Sequence, residues 1–116
     1  SLALLIGLLF ASGCSKNSPP KPLTLEEIPA TIEKAFSKAK PELKGLANQI
    51  VATVKSKDYP KAFAELQNLS RATDLTKEQA TTMGRATITI SELLQAAEAK
   101  GDEKAAVTIE NYRRTK

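Results

Sequence analysis

Leu43, Leu46, Ala47, Ile50, Val51 and Val54 recur at steps of three and four between Pro41 and Lys57. That spacing gathers them on one side of a helix of 3.6 residues per turn. A strand, whose side chains alternate at every second residue, would scatter them over both faces. Pro41 can open such a helix because the N–H it lacks would have had no intrahelical partner there. Lys55 and Lys57 suit the other end, where the helix dipole favours cations. The pattern predicts a helix over 41–56, and the same grammar runs through the chain from residue 24 onward.

Upstream, Thr24 and Glu27 have the spacing of a capping box and lead into Ile28, Ile32, Phe36 and Ala39 on one face, which predicts a helix over 25–39 with Pro29 near its start. Downstream, Asp58 is an N-cap candidate with Pro60 just inside, and Ala62, Phe63, Leu66 and Leu69 supply the buried face. Thr76 with Gln79 is a second capping box, and Gly101 is a natural stop. The helix between them, 77–100, has the seam Ala80, Met83, Thr87, Ile90, Leu94 and Ala97. Its run ATITIS alternates as a strand would, but no second strand exists for it to pair with. Asp102 caps a last helix that turns Ala105, Ala106, Ile109 and Tyr112 inward and ends on Arg113, Arg114 and Lys116. The stretch KDYPKAFAELQNL resembles the start of the second helix of a tetratricopeptide-type hairpin. Asp58 and the matching Asp102 lie 44 positions apart, however, whereas that repeat has a period of 34, so the likeness is one of hairpin grammar. The expected fold is all-α: a small bundle of about five helices in antiparallel hairpins, occupying 24–116.

The first fifteen residues differ in kind. They carry no charged side chain, whereas all seventeen Lys and Arg and all thirteen Asp and Glu follow them. Leu2 to Ala11 read LALLIGLLFA. Ten residues rise about 15 Å as a helix, half of a roughly 30 Å hydrocarbon core, so the run suits a signal-peptide h-region better than a membrane span. Ala11, Ser12 and Gly13 are small enough to enter a peptidase groove, and Cys14, the only cysteine, follows them.

The order Ala11, Ser12, Gly13, Cys14 resembles the lipobox of bacterial lipoproteins, a likeness confined to this segment. It implies that residues 1–13 are a cleavable signal peptide, that the Cys14 thiol receives a diacylglyceryl group, and that the new amino group is acylated. Leu is commoner where Ala11 stands, and the chain starts at Ser1 without Met or a basic n-region, so we expect its natural beginning to lie upstream. Residues 15–23, SKNSPPKPL, would reach about 28 Å as extended polyproline, and 14–23 is expected to form a lipidated, flexible, Pro-rich tether. Two or three acyl chains, at about 0.8 kcal/mol per buried methylene, anchor stably where one does not. Ser15 is not the Asp that holds some lipoproteins at the inner membrane. The expected location is therefore the cell envelope: the periplasmic face of an outer membrane where one exists, and otherwise the outer face of the cytoplasmic membrane.

Catalytic chemistry finds few supports. The chain has no His, which removes imidazole bases and the commonest zinc ligand, and the lone Cys leaves no intramolecular disulfide. The one S-x-x-K match, Ser18 to Lys21, falls in the Pro-rich tether, and the five glycines form no phosphate-cradling loop. Glu26 with Glu27 and Asp102 with Glu103 stand where helix N-termini favour negative charge in any case. The net charge of +4 is spread among Glu and Asp, and the aromatics are only Phe10, Phe36, Tyr59, Phe63 and Tyr112, which argues against nucleic-acid binding. No metal or cofactor is expected, and no enzymatic activity.

The leading expectation is a membrane-anchored binding or scaffolding module with a protein partner. An apolar-ligand carrier and a Ser-Lys hydrolase are the alternatives. On helix 77–100, Ile88 projects about 140° from the seam, with Gly84 one turn before it on the same side. Two readings stand: Ile88 meets the first or last helix, or Gly84 and Ile88 form an exposed partner contact. The cations at Arg113, Arg114 and Lys116 serve the helix dipole and solubility, with anionic lipid as a second reading.

Overall fold

A computed structural model of the chain describes residues 21–115. Among them lie five helices and no strand, numbered here α1 (Ile28–Ala35), α2 (Pro41–Lys55), α3 (Tyr59–Ser70), α4 (Lys77–Ala99) and α5 (Glu103–Thr115). Short loops make α2/α3 and α4/α5 hairpins. The long helix α4 packs against α1, α3 and α5, while α2 bridges α1 and α3. The all-α bundle is thus the observed architecture.

The helices expected over 41–56 and 77–100 end within one residue of those bounds, α3 and α5 begin directly after their expected caps Asp58 and Asp102, and the first helix is shorter than expected. Thr24 and Glu27 do make their reciprocal bonds, Thr24 N–H donating to Glu27 Oε1 (3.0 Å) and Glu27 N–H to Thr24 Oγ1 (3.3 Å). The box closes a turn over 25–27, and the regular helix begins at Ile28. Pro29 is the cause: with no N–H it cannot bond back to Leu25, so the ladder starts with Thr31 N–H on Glu27 O (3.0 Å). At the other end Phe36 leaves the helical region at φ −106°, ψ 10°, and Pro41 holds Lys40 extended at φ −56°, ψ 149°.

The two hairpin turns are built alike. After α4, Gly101 N–H donates to Glu98 O (2.9 Å) and Asp102 N–H to Ala97 O (3.0 Å), with Gly101 at φ 93°. This Schellman arrangement satisfies carbonyls that a helix end leaves orphaned. Asp102 then caps α5 by accepting from Ala105 N–H (3.1 Å). After α2 the same bonds recur, Lys57 N–H to Val54 O (3.0 Å) and Asp58 N–H to Thr53 O (3.3 Å), and Asp58 accepts from Lys61 N–H (3.3 Å). Here the left-handed position, φ 65°, falls to Lys57, which has a Cβ. Cβ-bearing residues occupy that region at a cost of about 1–2 kcal/mol.

The core collects the inward faces of all five helices: Ile28, Ile32 and Phe36, then Ile50, Leu66 and Leu69, then Met83, Ile90 and Leu94, with Ala105 and Ile109 from α5. Each fully buried Ile, Leu, Phe or Met stabilises the fold by roughly 1.5–3 kcal/mol relative to exposure. The run ATITIS is helical throughout. Thr87 and Thr89 return their hydroxyls to the carbonyls of Met83 (2.7 Å) and Arg85 (3.4 Å), which reconciles two β-branched polar residues with a helix. The α4 seam differs from expectation at its start, where Ala80 is exposed while Gln79, Thr82 and Ala86 are buried. The reason is α1, which lies along that flank and draws the buried stripe toward itself.

Candidate functional site

Cys14 and the cleavage residues Ala11, Ser12 and Gly13 lie outside the described residues, as does Ser18 of the S-x-x-K match. What the fold does show is where the chain that leads to them joins the domain. Leu23, expected at the end of the tether, is buried at 3% exposure in the core. Its N–H donates to Arg85 O (3.4 Å) and its carbonyl accepts from Thr89 Oγ1, while Arg85 Nε donates to the carbonyl of Lys21 (2.8 Å). Two α4 residues four apart therefore clamp Lys21–Leu23 against the helix, and the folded unit reaches back at least to Lys21. Pro22 helps, since its ring fixes φ and removes backbone freedom from the segment held against α4.

A groove of about 600 Å³ lies between α1 and α4, beside this entry point. Thr31, Lys34, Lys77, Glu78, Thr81 and Arg85 are among its walls. A second hollow of about 360 Å³ continues it past the end of α1 and shares Lys34 and Glu78, adding Lys38. Lys34, Lys38 and Lys77 are exposed and Arg85 is half-buried, so cations outnumber carboxylates along both hollows.

A second channel runs between α3 and α5. Two adjoining hollows of about 330 and 460 Å³ share Pro60 and Thr108. Phe63 and Tyr112 meet edge to face at 5.2 Å along it, and Val107, 56% exposed, is a large apolar side chain left open to water. A smaller hollow of about 200 Å³ behind the aromatic pair is lined by Leu94, Ile109 and Arg113 among others. None of these features was legible beforehand, because each arises where two helices fail to close over each other.

Gly84 and Ile88 sit one turn apart on α4 and both are half-buried. A Cβ placed on Gly84 would meet no atom within 4 Å, so the close backbone approach that a helical glycine permits is not used inside this fold. Arg113 and Arg114 are exposed at the end of α5, with Arg114 Nε 3.4 Å from Glu110 Oε1. Lys116 lies outside the described residues.

The paired carboxylates have structural duties: Glu27 closes the Thr24 turn and Asp102 caps α5. The Glu27 carboxyl is held below its ordinary range, chiefly by the Thr24 N–H, then by the Thr24 hydroxyl, and more weakly by the Arg85 guanidinium. Lys40 and Asp74 meet at 2.8 Å across two loops; the hydrogen bond between them, then their charges, raise the amine and lower the carboxyl. Gln79 is the polar residue that sequence reasoning credited with too little. At 6% exposure it completes the Thr76 box and also donates Nε2–H to Ala35 O (3.2 Å), capping α1 from α4. Among the described residues no cluster of His, Cys, Asp and Glu could hold a metal ion, and no helix is long and apolar enough to cross a membrane. No protein family, curated protein or solved structure matches this chain.

Proposed function

We propose that this chain is a bacterial envelope lipoprotein whose helical bundle acts as a binding or scaffolding module held at a membrane by acylated Cys14. One observation carries the reading: a charge-free apolar run of ten residues ends in Ala-Ser-Gly followed by the chain's only cysteine. The folded unit supports it by reaching back to Lys21, which leaves a short polar span, rich in proline, between the cysteine and the domain. At no more than about 3.6 Å per residue, the seven steps from Cys14 to Lys21 extend to about 25 Å, enough to hold a bundle at the headgroup surface. The bundle's open grooves, and the Gly84 position with room above its Cα, are surfaces on which a partner can rest.

The acylation is tested by feeding cells a labelled fatty acid. Wild-type protein should carry the label and resist extraction from membranes by salt, and Cys14→Ser should carry none. Unlabelled protein, or release by salt, refutes the anchor. The scaffolding role is tested by pull-down from solubilised membranes with a Gly84→Gln variant as control. Because the fold leaves open space at Gly84, that variant should fold normally and lose any partner seated there. Recovery of no specific partner by the wild type refutes the role.

A further inference from the structure

We infer that the cationic groove between α1 and α4 is a contact site for anionic phospholipid headgroups. The inference deepens the lipoprotein reading and rests on it. Three observations combine. Lys34, Lys38, Lys77 and Arg85 line the groove and its continuation, against the single carboxylate of Glu78. Thr31, Thr81 and Thr82 add hydroxyl groups of the kind that bond phosphate oxygens. The chain leading to Cys14 joins the domain on the same wall, clamped through Lys21 O by Arg85 itself.

Position and charge then agree. With Cys14 in the lipid and at most about 25 Å of chain to Lys21, the point where the chain enters the domain at Arg85 stays within that distance of the bilayer. Lys21, exposed at that entry, adds a further cation where the chain meets the domain. Basic residues near an anionic surface are attracted over about one Debye length, some 8–10 Å at ordinary salt. Glu27 is the opposing charge to be reckoned with, since it lies close enough for Arg85 to act on its carboxyl. Even with Arg85 offset in this way, Lys34, Lys38 and Lys77 face only Glu78. The Arg113 and Arg114 pair on α5 is the rival basic patch, and one of its two guanidinium groups is already paired with Glu110.

The test uses the full chain with Cys14→Ser, so that no acyl group contributes. Its binding is compared on vesicles of phosphatidylcholine alone and of phosphatidylcholine with about 30% phosphatidylglycerol. The readout is the ratio of the two affinities, in which any apolar contribution from residues 1–13 cancels. The ratio should exceed one, fall as salt is raised, and drop about fivefold for each cation removed in Lys34→Gln and Lys77→Gln. Both lysines are exposed, and unchanged circular dichroism confirms that the variants fold. The proposal is overturned by a ratio of one. It is equally overturned by a ratio that survives the groove double variant but is lost in Arg113→Gln/Arg114→Gln, or by loss of the preference to inorganic phosphate at matched ionic strength, which would mark a site for a small soluble anion. Failure of the anchor reads out separately, as missing acyl mass on the wild type with this ratio unaffected.

Discussion

The substitution Gln79→Glu separates what the capping-box rule expects from what the fold requires. In sequence terms the change is neutral or favourable, because Glu is as good as Gln at this position and its charge suits the helix N-terminus by about 0.3–1 kcal/mol. In the bundle the Gln79 side chain also reaches Ala35 O at 3.2 Å through an N–H that Glu does not have. The substitution leaves the last carbonyl of α1 without that donor and sets a carboxylate oxygen against it at a position only 6% exposed. A buried polar group stripped of its partner costs about 1–3 kcal/mol, and more for a charge. After the dipole gain the net loss is about 2 kcal/mol, or roughly 8–16 °C in Tm for a domain of this size. Thermal unfolding at pH 7, followed by circular dichroism, measures it directly. The pH dependence supplies an independent check. Crowding against a carbonyl raises the folded-state pKa of the introduced carboxyl above its unfolded value of about 4.3. The variant therefore regains stability below that pH, where a protonated carboxyl can donate to Ala35 O, and loses it as pH rises through the folded pKa. A variant as stable as wild type at pH 7 would refute the role assigned to Gln79 between α1 and α4.

Further outcomes follow from the same geometry. Lys57→Gly should raise stability by about 0.5–1 kcal/mol in urea titration, since relief of the left-handed conformation exceeds the added chain entropy of glycine; a loss would mean Lys57 is not strained. Leu23→Ala should lower stability by about 2–4 kcal/mol, a value reserved for core positions, whereas a tether residue would change it by less than about 0.5 kcal/mol. Gly84→Ala should stabilise α4 by about 0.5–1 kcal/mol because nothing occupies the space above it, and a decrease in Tm would place an unseen neighbour there. Glu27 and Asp74 have lowered pKa values, so their contributions are present above the ordinary 4.5 and 3.8 and vanish as pH falls through the folded values. Glu27→Gln/Asp74→Asn should therefore lose stability relative to wild type near neutrality and match its pH dependence less steeply in acid; identical acid titrations would contradict the two assignments.

Much of the fold could be read in advance because its signals are local. The stripe from Leu43 to Val54, the Asp58 and Asp102 caps, the Thr76–Gln79 box and the Gly101 stop each depend on residues within one or two turns. What escaped depends on contacts between distant segments. The α4 seam is rotated at its start because α1 lies beside it. Gln79 is buried because Ala35 comes to it from 44 residues away, and Leu23 is a core residue because Arg85 and Thr89 hold the chain that carries it. Lys57 escaped for another reason: its side chain advertises a helix-terminal cation while its backbone fills the place glycine takes in the matching turn. Of the candidate site, Gly84 and Ile88 were named from periodicity, and both are half-buried on α4. The basic groove was not foreseen, since its cations come from segments far apart in sequence, Lys34 on α1 and Lys38 just past its end on one side and Lys77 and Arg85 of α4 on the other.

The most direct test is the intact mass of the protein extracted from bacterial membranes. The expected species begins at Cys14 and is heavier than its polypeptide by a diacylglyceryl group, with or without a further acyl chain. A species that keeps residues 1–13 and an unmodified Cys14 thiol would contradict the membrane-anchored account and leave a helical bundle without an address.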